Sequence, residues 1–296
     1  MKSVYSNIIQ AIGNTPIVRL NAVVGKTKHE FYAKLEYFNP GGSVKDRIAV
    51  AIIEEAEKRK ELKPGGTIIE ATSGNTGLGL AMVAAVRGYK TIFVMPDKIS
   101  EEKRAILRAY GAKVVITPTA VEPEDPRSYL SVAAKLVEIT PNSFYANQYH
   151  NPDNPTKHYQ TTAPELWEQM DGKIDVFVGG AGTGGTLSGV GRYLKEKNSN
   201  IKVVMADPRG SILHDLFYHN KIVDPPHSYK VEGVGEDMLP QNVHFQYMND
   251  VVQVDDRSAF LMTREIVNKE GICVGPSSAL ALVAAMDYAK KLDKPS

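Results

Sequence analysis

The chain has 296 residues, 43% hydrophobic and 23% charged, with 35 basic against 34 acidic residues and a formal net charge of +1. This is globular composition long enough for two domains, and its charge balance gives no electrostatic case for nucleic acid or an anionic membrane. One cysteine, Cys273, excludes an internal disulfide, and the lack of a signal-peptide core or a membrane-length apolar run points to a soluble cytoplasmic protein.

In chain order, the first strong helical pattern is VKDRIAVAIIEEAEKRKEL, opening at Val44 with Ser43 placed to cap it. On a helical period Lys45 shares a stripe with Ile48, Ala49, Ile52 and Ala56, whereas Arg47, Glu54, Glu55 and Lys58 face elsewhere. Short apolar runs at 67–71, 91–96, 113–118, 143–149, 174–180 and 202–207 read as strands. Helical patterns alternate with them at 76–87, 100–110, 127–138, 184–197 and 257–269, and a last one begins near 278. The alternation predicts an α/β architecture of mostly parallel, buried strands. NPDNPT (151–156) suits a crossover between two α/β lobes, and the irregular stretch from His219 to about Gln253 reads as a surface excursion over the second lobe. Ligands in open α/β sheets bind beyond the carboxyl ends of strands, which directs attention to the loops after 67–71, 143–149, 174–180 and 202–207.

Two of those loops are rich in groups that bind anions. GGAGTGGT (179–186) follows an apolar strand and opens a helix, so backbone N–H groups and the helix N-terminus form a cradle that glycines allow a ligand to approach. Thr183 and Thr186 can donate to a terminal phosphate. Gly180, Gly182 and Gly185 also match G-x-G-x-x-G, with Asp207 ending the next strand, so a nicotinamide-dependent dehydrogenase is a rival reading. ATSGNTG (71–77) sets Thr72, Ser73, Asn75 and Thr76 before an apolar helix, more hydroxyl and amide groups than a cap requires, and suits a carboxylate.

A phosphate cradle, a carboxylate cradle and an inward lysine suggest an amino acid held on pyridoxal phosphate. An amine at an apolar position loses solvation of its charged form and is freed for Schiff-base chemistry. On the stripe argument alone, Lys45 is balanced between that role and a lysine snorkelling to solvent from the first helical turn. Ser277 reads equally as the cap of the last helix, and Gln148 as a buried amide completing a loop network. The histidines at 29, 150, 158, 214, 219, 227 and 244 have no metal-ligand spacing and read as structural or surface residues; no metal is expected.

NPGGSVKDR, TSGNTG, NQYHNPDNP and GAGTGGT occur in the order and context of the cysteine synthase and cystathionine β-synthase family, which the chain resembles from IGNTPIVRLN to GPSSA. The resemblance implies a fold-type II pyridoxal-phosphate enzyme, tryptophan synthase β-like, with two open twisted, mostly parallel sheets flanked by helices and the active site between lobes. It implies a larger cofactor-phosphate-binding domain from 1–44 and 151–296, and a smaller mobile substrate-carboxylate-binding domain from 45–150. By matching position, Lys45 would be the Schiff-base lysine. Thr72, Ser73, Asn75 and Thr76 would hold the substrate carboxylate with Gln148, and Asn75 would also meet the cofactor's phenolic oxygen. Gly182, Thr183, Gly184, Gly185 and Thr186 would bind the phosphate, and Ser277 would meet the pyridine nitrogen.

Several segments lean towards cystathionine β-synthase, among them DPRGSIL and YKVEGVGEDMLP. The implied reaction joins serine and homocysteine through an aminoacrylate; the alternative makes cysteine from O-acetylserine and sulfide. Glu236 stands where eukaryotic cystathionine β-synthases carry Tyr and cysteine synthases a small residue, and is expected at the acceptor's ammonium. Ala71 replaces a proline common in the family. A homodimer with small-molecule substrates is implied. No haem is expected, because no haem-binding extension precedes the matching core and no paired regulatory domains follow it. The chain stops at KKLDKPS, where family members continue into a further strand.

Overall fold

Parallel strands need cover on both faces, and the apolar runs here are short enough to be covered by single helices. The computed structural model describes residues 4–72, 74–121 and 125–296. Its elements begin with β1 (Ile17–Leu20), β2 (Phe31–Lys34), α1 (Lys45–Lys58), β3 (Thr67–Ala71), α2 (Asn75–Arg87) and β4 (Lys90–Pro96). They continue with α3 (Glu101–Ala109), β5 (Lys113–Thr117), α4 (Tyr129–Ile139), β6 (Ser143–Tyr145), α5 (Asp153–Lys157), α6 (Ala163–Gln169) and β7 (Val176–Gly180). The last are α7 (Gly185–Lys197), β8 (Lys202–Pro208), α8 (Leu213–His219), β9 (Asp250–Val254), α9 (Asp256–Glu270) and α10 (Pro276–Ala289). The six expected strands are all present, with 143–149 shortened to three residues. β1, β2 and β9 are additions, and a helical run covers 153–169.

The chain divides into two compact units, Met1–Thr15 with Glu36–Asp153 and Pro16–Leu35 with Asn154–Ser296. The later boundary falls within the NPDNPT segment read as a crossover. The earlier one differs from the expected division after residue 44. Residues 36–44 and the N-terminal segment group with the first unit because Ile9 and Ile12 pack on its core and Gly13 N–H donates to Asn39 Oδ1 at 2.8 Å.

In the first unit the sheet order is β5-β4-β3-β6, all parallel. Alternate residues serve opposite faces. Ile68, Phe93 and Met95 join Ile48, Ile52 and Leu80 of α1 and α2, while Ile69, Ala71 and Val94 join Ala133 of α4. Each of these fully buried isoleucines stabilises the fold by roughly 1.5–3 kcal/mol relative to exposure. In the second unit the parallel order is β7-β8-β9. α10 covers one face through Leu280 and Ala284, and α7 and α8 cover the other through Leu187 and Leu213. Leu20 of the antiparallel β1–β2 pair, and Leu35 just after it, pack with α9 and α10. Among the described residues, no helix is long and apolar enough to cross a membrane.

Candidate active site

The turn that carries Lys45 is built from buried polar groups. α1 starts at Lys45, one residue later than expected, and Ser43 Oγ accepts from the Lys45 N–H at 3.2 Å. Lys45 is half-buried on the expected stripe, and Ile48, Ala49, Ile52 and Ala56 are fully buried. Arg47, expected off that stripe, is buried as well. Its guanidinium grips Glu36 through Nε at 2.7 Å and Nη2 at 2.9 Å, and Thr15 Oγ1 donates to the same carboxylate at 2.6 Å. An ion pair satisfies what periodicity would have sent to solvent.

Asp46 is also fully buried. One carboxylate oxygen accepts from Gly41 N–H at 2.5 Å, and the other has no hydrogen-bond partner among the described residues. Burial pushes its carboxyl up to about 6, against the lowering effect of the Gly41 N–H. A Cβ on Gly41 would collide with that carboxylate, which explains the glycine. Asn39 closes the turn by donating from Nδ2 to the Ser43 carbonyl at 3.1 Å.

The second expected cradle lies in the same unit. Thr72 is buried, and its Oγ1 accepts from Gly74 N–H at 3.3 Å. Ser73 lies outside the described residues. Asn75 is exposed as the first residue of α2, whereas Thr76 is buried and donates to Gln148 Oε1 at 2.6 Å. Two residues singled out independently are therefore partners. Gln148 N–H meets Glu70 Oε1 at 3.5 Å; Glu70 Oε2 has no partner among the described residues, and burial pushes this carboxyl up to about 8. α2 runs close over the lysine turn: a Cβ on Gly79 would lie 3.2 Å from the Lys45 carbonyl and 3.1 Å from Ala49 Cβ. Sequence reasoning missed Glu70, Asp46 and the Arg47–Glu36 pair, because each is polar in a pattern read for apolar spacing.

In the second unit the glycine loop is pressed from three sides. Gly184 has φ +82°, a left-handed conformation that favours glycine, and a Cβ there would collide with Val243. A Cβ on Gly182 would lie 2.8 Å from the Gly233 carbonyl, and one on Gly185 would collide with the Asn154 carboxamide. Thr183 is buried and accepts from Asn154 Nδ2 at 3.0 Å; Thr186 Oγ1 lies 3.2 Å from His158 Nε2. The stretch read as a surface excursion is exposed from 219 to 228, as expected, but from Val231 to Val243 it forms a clamp. Gly235 N–H donates to the Ala181 carbonyl at 2.7 Å, Ser188 Oγ donates to the Asn242 carbonyl at 2.6 Å, and Val231, Val234 and Val243 are buried.

Glu236 is held by its backbone, its N–H donating to Ser211 Oγ at 3.1 Å. Its Oε1 lies 3.6 Å from where a Gly182 Cβ would stand, so the carboxylate faces the loop. Ser277 is not the helix cap. Gly275 takes that position with Pro276 after it, and Ser277 sits half-buried inside the first turn of α10.

A loop that excludes every added carbon, two braced threonine hydroxyls and a 13-residue helix opening at Gly185 fit a phosphate group. The dehydrogenase reading fails on Asp207. Its side chain is fully buried, with Oδ2 accepting from His214 N–H at 3.1 Å and the carboxyl pushed by burial up to about 6.

A family model described as pyridoxal-phosphate dependent enzyme matches residues 8–296. The chain is 49% identical over 288 residues to a cystathionine β-synthase of Apis mellifera, an alignment covering 97% of this chain and 56% of that one. It is 44% identical over 289 residues to a cysteine synthase of Staphylococcus aureus, covering 97% and 90%. The crystal structure of an O-acetylserine dependent cystathionine β-synthase from Helicobacter pylori superposes with a TM-score of 0.90 at 37% identity, covering 99% and 94%. The chain spans about half the length of the cystathionine β-synthases it matches. The fold-type II architecture implied by the motifs is the one these structural neighbours share.

Proposed function

The chain belongs to the pyridoxal-phosphate dependent enzyme family, and from that premise we propose that it catalyses β-replacement on serine or an activated serine, with homocysteine as the thiol and cystathionine as the product. The observation that carries the proposal is the packing of α2 over the lysine turn. At Gly79 it sets the start of α1, with Lys45, against the helix whose first turn carries Asn75 and Thr76. A base and a carboxylate cradle on adjoining helix starts suit proton transfer at the α-carbon of a bound amino acid.

The cofactor supplies, when bound, an aldehyde that captures the amino group and a ring that withdraws electrons from the α-carbon. Lys45 would hold the aldehyde end between turnovers, and its amine would take the α-proton and return it. Residues 72 to 76 and Gln148 would hold the substrate carboxylate, with Asn75 also at the phenolic oxygen. The N–H groups of 182–186 and the hydroxyls of Thr183 and Thr186 would hold the phosphate. The Ser277 hydroxyl would meet the pyridine nitrogen, where it retains a proton less firmly than a carboxylate does. A weaker electron sink favours loss of the β-substituent over transamination or racemisation. Glu236 would accept the ammonium of homocysteine. The first unit would move as the smaller, carboxylate-binding domain to exclude water. The enzyme would work as a cytoplasmic homodimer.

A second reading, cysteine synthase acting on O-acetylserine and sulfide, is supported by the 44% identity to the Staphylococcus aureus enzyme and uses the same residues. The deciding experiment offers serine and O-acetylserine, each with homocysteine or sulfide, and identifies the products. Cystathionine as the main product supports the proposal. Cysteine and acetate alone would move the assignment to the second reading, and no product from any pair would overturn both. For Glu236, an unchanged homocysteine-to-sulfide preference in Glu236→Ala would remove it from the acceptor site.

A further inference from the structure

Glu70 is an acid set within an apolar strand. β3 reads TIIEA, all five residues are buried, and Glu70 is 1% exposed. By alternation it shares the face of Ile68, on which α1 and α2 place Ile48, Ile52 and Leu80. Beyond β6 the chain turns back over it. Asn147 takes a left-handed φ of +49°, and the N–H groups of Asn147 and Gln148 both donate to the Glu70 carboxyl, the second to Oε1 at 3.5 Å. The Gln148 side-chain amide donates to the same carboxyl, while its Oε1 accepts from Thr76 at 2.6 Å. The amide is thus held with its nitrogen towards Glu70 and its oxygen towards the first turn of α2. Glu70 Oε2 has no hydrogen-bond partner among the described residues. Burial and these hydrogen bonds set its titration, with no charge from Lys45, Asp46 or Arg47 in the first turn of α1. Tyr145 of β6, with Tyr129 of α4 beside it, feels the Glu70 charge and is pushed up, chiefly by its own burial.

We infer that Glu70 is a positioning residue that ties occupation of the carboxylate cradle to a proton: an amino acid's carboxylate binds beside Gln148 with Glu70 uncharged, and a charged Glu70 weakens it. The inference rests on the reading of residues 72 to 76 and Gln148 as that cradle. Two carboxylates separated by one amide in a buried site repel far more strongly than they would in water. Burial already pushes the Glu70 carboxyl up to about 8, against the lowering effect of the N–H groups. A second negative charge beyond Gln148 raises it further, and linkage makes the effect reciprocal. Below about pH 8 Glu70 keeps its proton and the cradle accepts a carboxylate. As pH rises through that value the proton is lost and affinity falls, levelling off once the bound state has lost its proton too. When an amino acid enters a chain whose Glu70 is charged, Oε2 takes one proton from water and returns it when the product leaves. Protonated, Glu70 keeps Oε1 as acceptor for Gln148, so the amide holds its orientation in the bound state. The signal in the sequence is the single acidic residue of TIIEA.

The test uses the holoenzyme and L-serine, with binding followed through the cofactor's visible absorbance between about pH 6.5 and 9.5, a range that brackets the raised carboxyl. Serine's own amine titrates in the same range, so the quantity read is the Kd of wild type divided by that of Glu70→Gln, in which the amine cancels. The glutamine is uncharged at every pH and keeps an acceptor oxygen for Gln148. The ratio should be near unity at the acid end and rise at least about fivefold at the alkaline end, the lower edge of ordinary coupling between sites. In wild type carrying 13C-labelled glutamate, the Glu70 carboxyl carbon should titrate at a higher pH with serine bound than without it. A flat ratio, or a Glu70 titration that serine leaves in place, would overturn the inference and leave the cradle standing. Wild-type serine affinity in both Gln148→Ala and Thr76→Val would instead overturn the cradle. Should Glu70→Gln fail to fold, the carboxyl titration of the wild type decides the matter.

Discussion

The two strand-to-helix turns assigned to anions are braced by different physics. In the second unit, 182–186 is held by contact, with collisions awaiting any carbon added at Gly182, Gly184 or Gly185. In the first unit, among the described residues beyond its chain neighbours, no atom lies within 4 Å of a Cβ built on Gly74; a Cβ on Gly77 would lie 2.8 Å from Thr72 Cγ2, and most of the order comes from polar groups taken out of water: Thr76 on Gln148, Glu70 beneath Gln148, and Arg47 on Glu36 near the lysine. A contact brace tolerates no added volume but is indifferent to pH. A polar brace tolerates shape changes, fails when one partner is lost, and titrates. The difference suits a cofactor that stays and a substrate that must come and go.

The largest effect is expected from breaking the polar brace at its ion pair. Arg47→Met leaves Glu36 without its guanidinium and should cost about 3–5 kcal/mol, read as a lower urea midpoint and faster hydrogen exchange in β3 and α1 than in β8. Equal exchange losses in both units would dissolve the contrast between them. Next comes Gly185→Ala. Overpacking against Asn154 should cost about 1–3 kcal/mol and displace the loop, so the purified protein should lose its cofactor absorbance. Retention of full cofactor would show the contact brace to be loose.

The pH dependence separates the units further. Unfolded, Glu70 loses its proton near the ordinary 4.5; folded, it keeps the proton to about 8 because it is buried. Between those values the folded state binds the extra proton, so stability falls as pH rises through the window and levels off above it. Asp207, the raised carboxylate of the second unit, holds the start of α8 rather than the glycine loop, and its contribution ends near pH 6. Glu70→Gln should therefore flatten the loss of stability between about pH 6 and 8 in urea titrations. A profile identical to wild type would mean that Glu70 does not titrate in this range. The smallest effect is Thr76→Val, about 1 kcal/mol from the lost hydrogen bond to Gln148. It should raise the KM for the amino acid while leaving cofactor content unchanged; cofactor loss instead would mean that the two cradles had been exchanged.

Much of this is legible in the sequence. The strand runs, the helix that carries Lys45, the hydroxyl-rich and glycine-rich turns and the NPDNPT boundary all follow from local period and local residue type. The misses share one cause. Helical period ranks positions by polarity and sets Arg47 off the Lys45 stripe, yet Glu36, 11 residues earlier, pairs with it in the core. Irregular backbone carries no period, so the 219–253 stretch reads as a surface excursion; its first ten residues are exposed, yet Val231, Val234 and Val243 are buried and the Gly233 carbonyl presses on the glycine loop. Serine is a good cap, so Ser277 reads as one, yet Gly275 followed by Pro276 starts the helix sooner.

By itself, the sequence determined which groups stand on which kind of element: a lysine at a helix start, and a hydroxyl-rich and a glycine-rich turn at strand ends. Only the tertiary structure decided which group each polar atom meets. Thr76 and Gln148 are 72 residues apart, Asn154 and Thr183 are 29, and His158 and Thr186 are 28. Local periodicity extends over a turn or two of helix. A hydrogen bond closed by folding across such separations leaves no periodic trace, although it orients the side chains of both turns.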